Sequence, residues 1–180
     1  MTSLTLPTTQ ARPVLGWLAI LGGTASAVAG AIQLILPSDT DPLINANEHV
    51  VLTLLAVAFV AWIPGYLTLG TSAGKLGKAA GILAALGCAL LTIGMTSTNL
   101  HGQDYAWFGV VAVPANLAWL VGSVLLAVAT WRTRTLPRWL SIGVALVWVT
   151  SIILSQLGGN LIAGVIWCTL GALLTRANRS

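Results

Sequence analysis

Charge is what this sequence has least of. Its 180 residues hold four acidic side chains, Asp39, Asp41, Glu48 and Asp104, and eight basic ones. At 7% charged residues it falls far below the quarter or so typical of soluble domains, which excludes a free-standing water-soluble domain. Cysteine is nearly as scarce. Cys88 and Cys168 both sit inside apolar segments, and without CxxC or zinc-type spacing they read as buried free thiols. There is no phosphate-binding glycine loop, so the chain itself is not expected to use ATP. No ionisable side chain lies at the middle of an apolar run, which argues against a proton-driven pump.

What is present is apolar surface in long blocks. Hydrophobic residues make up 57% of the chain and the mean hydropathy is +0.91. Several apolar runs reach the roughly 20 residues that a membrane-spanning helix needs. Pro13 suits the first turn of a helix, where its missing N–H costs nothing. That helix is expected to end at Leu36, before Pro37. Ala25-Ser-Ala27 resembles a signal-cleavage site, but the apolar run continues past it, so a retained helix is expected. Five further helices are expected over Glu48–Leu69, Ala79–Ser97, Tyr105–Trp131, Trp139–Gln156 and Asn160–Thr175. Pro64 is expected to kink the second and Pro114 to interrupt the fourth. Residues 70–78 read as a basic turn, 99–105 as a loop and 157–159 as a short connection.

This layout predicts an all-α, polytopic membrane protein, a six-transmembrane-helix bundle with both termini cytoplasmic. Residues 1–12 would be a flexible cytoplasmic N-terminus, 13–176 a single transmembrane domain and 177–180 a cytoplasmic tail. Arg12, Lys75, Lys78, Arg132, Arg134, Arg138, Arg176 and Arg179 then fall on one side. The four acids and both histidines fall on the other. Basic residues mark the cytoplasmic side, so the acid and histidine side is extracytoplasmic. Small size, Ala/Gly/Leu/Val richness and this segregation point to a bacterial cytoplasmic membrane. They also account for the net charge of +4 and pI near 9.7 without a nucleic-acid partner.

Trp17, Trp107, Trp131 and Trp139 fall near helix ends and suit an interfacial belt. Trp62, Trp119, Trp148 and Trp167 fall deeper, against lipid, in packing or around a pocket. Gly22, Ser26 and Gly30 recur at every fourth residue, as do Gly77, Gly81, Ala85 and Ala89, a pattern that lets helices approach closely.

The polar residues that could carry chemistry are nearly all on the acid and histidine side. Glu48 and His49 open helix two, with Thr53 one turn further on the face of His49. Asn99, His101 and Asp104 follow helix three. Gln33 lies a turn from the end of helix one, and Gln156 and Asn160 bracket the last connection. Asn116 lies roughly 14 Å into helix four and needs a hydrogen-bonding partner at that depth. Simpler roles are available for each: Glu48 as a capping carboxylate, His49 at the interface, His101 and Asp104 in an exposed turn, the amides in interhelical pairs.

Three functions follow. A binding role needs only shape and hydrogen bonds, with Glu48, His49, His101 and Asn116 orienting a small apolar or amphipathic ligand. Gln33, Asn99, Asp104, Gln156 and Asn160 would support them. An acid–base enzyme acting on a lipid-soluble substrate would use Glu48 as proton donor and His49 or His101 as acceptor. An assembly subunit would instead pack against a partner membrane protein. A metal site from His49, His101 and a carboxylate would have a sufficient donor set, but no HExxH spacing supports it. The histidines lie at helix ends, an arrangement that does not suggest haem, and the sequence assigns no cofactor. In architecture the layout resembles the substrate-capturing membrane subunits of vitamin-importing energy-coupling transporters. Ala25-xxx-Ala29 is the kind of small-residue face those subunits dock with, although no ligand motif of that family occurs.

Overall fold

A chain this apolar satisfies its backbone polar groups most completely within helices. The structure, a computed structural model, describes residues 11–36 and 43–176. Among these residues there are six α-helices and no strand: α1 (Ala11–Ile35), α2 (Ala46–Ser72), α3 (Gly74–His101), α4 (Phe108–Thr133), α5 (Arg138–Trp148) and α6 (Gly159–Arg176). A π-helical turn over Val149–Ile153 and a 3-10 turn over Ser155–Leu157 join α5 to α6. The first four helices are long and apolar enough to cross a membrane; α5 with its π turn, and α6, are shorter.

Local chemistry sets these limits. Asn45 caps α2, accepting from the backbone N–H groups of Asn47 and Glu48 (3.0 Å each). The Glu48 carboxylate reaches back to the Asn45 N–H (3.0 Å), completing a capping box. Gly102, with φ at 78°, turns the chain out of α3. The helices with a proline well inside them, α2 and α4, continue without a break. α4 is therefore not interrupted at Pro114, and at Pro64 the Thr68 hydroxyl donates to the proline carbonyl (2.8 Å).

One expected loop is absent. Residues 70–78 form no basic turn, because α2 and α3 are joined through Ala73 alone. Gly70, Gly77 and Gly81 are packing surfaces: a Cβ on Gly70 would lie 2.7 Å from the carbonyl oxygen of Gly77. The chain needs bare backbone there for two helices to touch. Asn99 and His101 likewise belong to the last turn of α3, not to a loop.

The helices pack in chain order, α1 on α2, α2 on α3, α3 on α4 and α4 on α5, and the ring closes where α6 packs on α1 and α5. Glycines form the α1–α6 seam. Gly16 faces Gly171, Gly23 faces Gly164, and Gly30 faces Asn160 and Leu161. The pairing is antiparallel, so the two ends of the described bundle chain lie together. Ala25 and Ala29 are buried as well, so the small-residue face of helix one is used inside the bundle.

Aromatic rings fill the middle. Trp62, Trp119, Trp167 and Tyr66 are fully buried. Trp62 and Trp167 stack at 5.1 Å with planes 9° apart, and Phe59 packs edge-on to Trp119. The Tyr66 hydroxyl accepts from the Trp119 indole (2.8 Å) and shares a hydrogen bond with Ser123 (3.1 Å). Trp17, Trp107, Trp131 and Trp139 are exposed near helix ends.

Candidate functional site

The bundle has two chemically different ends. Lys75, Lys78, Arg132, Arg134 and Arg138 gather at one, around the α2–α3 and α4–α5 connections. Glu48, His49, His101 and Asp104 gather at the other. Asp39, Asp41 and Arg179, and the side chains of Arg12 and Arg176, lie outside the described residues.

At the acidic end, the segment before α2 is tied to the segment after α3 by the Ile44 N–H donating to the Gly102 carbonyl (2.9 Å). Behind this tie is a cavity of about 260 Å³. Its polar lining comes from Gln33, Glu48, Thr98 and Asp104. Ile44, Val51 and Leu55 form one apolar wall, with Met95 and Phe108 opposite on α3 and α4. Phe108 fits there because Gly94 is bare; a Cβ would overlap the ring.

The polar groups are arranged in depth. Gln33 is buried, Glu48 is half-buried and Asp104 is exposed. Deepest of all, fully buried Asn160 donates from Nδ2 to Gln33 Oε1 (2.8 Å), while its backbone carbonyl accepts from Ser26 (2.8 Å). Asn160 thereby fixes the cavity's glutamine against α6. One oxygen of each carboxylate has a protein donor: the Asn45 N–H for Glu48 and the Thr98 hydroxyl for Asp104 (2.7 Å). A carboxylate has about four acceptor sites, so each retains capacity toward a ligand. Among the described residues no basic side chain lines the cavity.

The histidines serve elsewhere. His49 Nδ1 donates to Asn99 Oδ1 (2.5 Å), and Asn99 Nδ2 donates to Thr53 (2.8 Å), which donates to the His49 carbonyl (2.8 Å). This closed loop straps α2 to α3. Because an amide oxygen can only accept, the strap places a proton on Nδ1 of His49. His101 is exposed, stacks on Tyr105 at 4.1 Å and donates to the Gln103 carbonyl (3.3 Å). Neither lines the cavity, so the expected pairing of Glu48 with a histidine is not assembled there. Among the described residues, no group of three His, Cys, Asp or Glu side chains comes together as a metal site.

The remaining candidates are dispersed. Asn116 accepts from the Trp148 indole (3.0 Å) and donates to the Ala112 carbonyl (2.9 Å), an α4–α5 bond away from the cavity. Gln156 is exposed in the 3-10 turn. Sequence reasoning did not single out Thr98, a hydroxyl within the last turns of α3, because nothing in its neighbourhood distinguishes it from other helical threonines.

Taken together, four long apolar helices in an all-helical chain are compatible with a multi-pass membrane protein. No protein-family model matches the chain, and no curated protein or solved structure matches it either.

Proposed function

We propose that this chain is a six-pass protein of a bacterial cytoplasmic membrane. In this reading both termini are cytoplasmic and the cavity, open to the extracytoplasmic side, binds a small amphipathic ligand. A transport-associated, substrate-binding subunit is the role that fits this reading. The observation that carries it is the convergence of Gln33, Glu48 and Asp104 over an apolar wall in one cavity. Supporting the topology are the antiparallel α1–α6 seam and the separation of basic from acidic ends. The lining suits a ligand with a cationic or strongly donating head at the carboxylates and a short apolar body against Val51, Leu55 and Met95.

Glu48→Gln separates binding from folding. Glutamine at the third helical position still supports a capping box, so thermal stability should stay close to that of the native chain. Removing a charged hydrogen-bond partner should weaken binding of a short alkylammonium probe by about 10- to 100-fold. Unchanged affinity in a Glu48→Gln, Asp104→Asn double variant would sink the proposed site.

A further inference from the structure

A second concavity lies at the basic end. An apolar groove of about 390 Å³ runs between α4 and α5. Val124 and Val128 wall it from α4, and Ile142 and Leu146 from α5; Ala127 and Ala145 keep it open. Ser141 also lines it, but its hydroxyl already accepts from Thr130 (3.1 Å). Among the described residues the one charged residue that lines it is Arg132, exposed in the last turn of α4. Two more guanidinium groups flank the same turn. Arg134 sits at the left-handed cap of α4 (φ 55°), and Arg138 lies over the Trp131 ring at 5.4 Å. The two described carboxylates, Glu48 and Asp104, are at the far end of the bundle. One arginine therefore lines an apolar slot, two more flank the turn that ends it, and no described counter-charge lies beside them.

We propose that this groove holds an acyl chain of an anionic phospholipid, with the lipid phosphate against Arg132 and the fields of Arg134 and Arg138 around it. Charge complementarity selects this occupant. A guanidinium matches phosphate oxygens two at a time, and basic pockets between membrane helices favour anionic headgroups. The Trp131 ring sits at the same level, as aromatic anchors do at a headgroup boundary. A groove of similar size (about 410 Å³) between α1, α2 and α3 is lined by Leu18, Leu21, Val57 and Val60, and no charged residue lines it. That groove can take a chain but has no means of choosing a headgroup. The inference goes beyond the proposed ligand cavity and rests only on the chain lying in a bilayer.

The test uses the full chain in neutral detergent, delipidated and then titrated with phosphatidylglycerol or phosphatidylcholine of identical acyl chains. Retained lipid is counted by native mass spectrometry. Phosphatidylglycerol should be retained in preference, and Arg132→Gln should lower that preference about fivefold, the effect of one basic residue at an anionic surface. Lys75→Gln, at the same end but outside the groove, should leave the preference unchanged. Val128→Trp, which fills the slot from an exposed position, should reduce retention at this site, and it keeps the test valid if Arg132→Gln does not fold. Equal retention of the two lipids by the native chain would overturn the proposal, as would an unaltered preference in Arg132→Gln. Competition by free glycerol phosphate at the lipid's own concentration would also overturn it, since the groove would then contribute nothing. Release of the chain from washed membranes without detergent would instead count against the membrane reading itself.

Discussion

Asn160 is fully buried with half its amide in use: Nδ2 donates to Gln33, while Oδ1 has no hydrogen-bond partner among the described residues. Interhelical hydrogen bonds between membrane helices contribute about 0.6 kcal/mol on average and up to about 1.7. Asn160→Leu should therefore lower stability by no more than about 2 kcal/mol, but it should also release Gln33 and weaken ligand binding at the cavity. Asn116→Leu makes the control. It breaks the bond to the Trp148 indole, so a similar loss of melting temperature with unaltered ligand affinity is expected. Equal effects on affinity would show that Gln33 needs no positioning. At this scale the sequence was partly readable. Asn45 and Glu48 stand at capping-box spacing, and Glu48 and Gln33 were visible as polar residues near helix ends. The grouping was not readable, because Gln33 comes from α1, Glu48 from α2, and Thr98 and Asp104 from the end of α3 and the segment after it, and only packing brings them together. His49 illustrates the reverse case. Its conspicuous place beside Glu48 suggested shared chemistry, but neighbouring residues on a helix do not face each other, and His49 turns to Asn99.

Between helices, glycine does more than its count suggests. Along α1 the contacts with α6 recur at Gly16, Gly23 and Gly30, a period of seven, and the partners Gly164 and Gly171 keep the same period. The four-residue pattern seen in the sequence picked out some of these positions but not their pairing, since Gly22 faces Trp62 and Ala61 of α2 while Gly23 faces Cys168 of α6. Backbone against backbone leaves no flexible side chain to give way. Gly164→Ala should thus cost roughly 1–3 kcal/mol, read as a lower melting temperature, because the added methyl meets the backbone of Gly23 and Ala27. Gly109→Ala should do the opposite. It lies in α4 with nothing within 4 Å of an added Cβ, so a gain of about 0.5–1 kcal/mol is expected. Identical responses at the two sites would contradict the seam. The same chemistry explains the misread turn at residues 70–78, where glycine, serine and lysine resemble a loop in composition but serve a helical hairpin.

For the molecule as a whole, hydropathy made the helical class legible, and the charge distribution made two ends legible. The proposed six-pass topology is tested by labelling. In a chain with Cys88 and Cys168 replaced by serine, Gln103→Cys should react with a membrane-impermeant maleimide in intact cells, and Thr71→Cys only after lysis. Reaction of both, or the reverse order, would contradict the topology. What hydropathy could not show is the π turn after Trp148, which shortens one side of the ring. The 25 to 28 residues of α1 to α4 extend about 38–42 Å. The 11 residues of α5 and 5 of the π turn extend only about 24 Å, and the 18 of α6 about 27 Å. A hydrocarbon layer is roughly 30 Å thick and about 40–45 Å with its headgroups, so in the six-pass reading α1 to α4 cross it with their polar ends among the headgroups, while α5 and α6 fall short of it. Hydrophobic mismatch then acts on one side of the protein only, with the bilayer drawn thin beside α5 and α6. Such a wedge should register membrane thickness: shortening the acyl chains of the host lipid relieves the α5–α6 flank and should raise the melting temperature, and a melting temperature independent of chain length would contradict it.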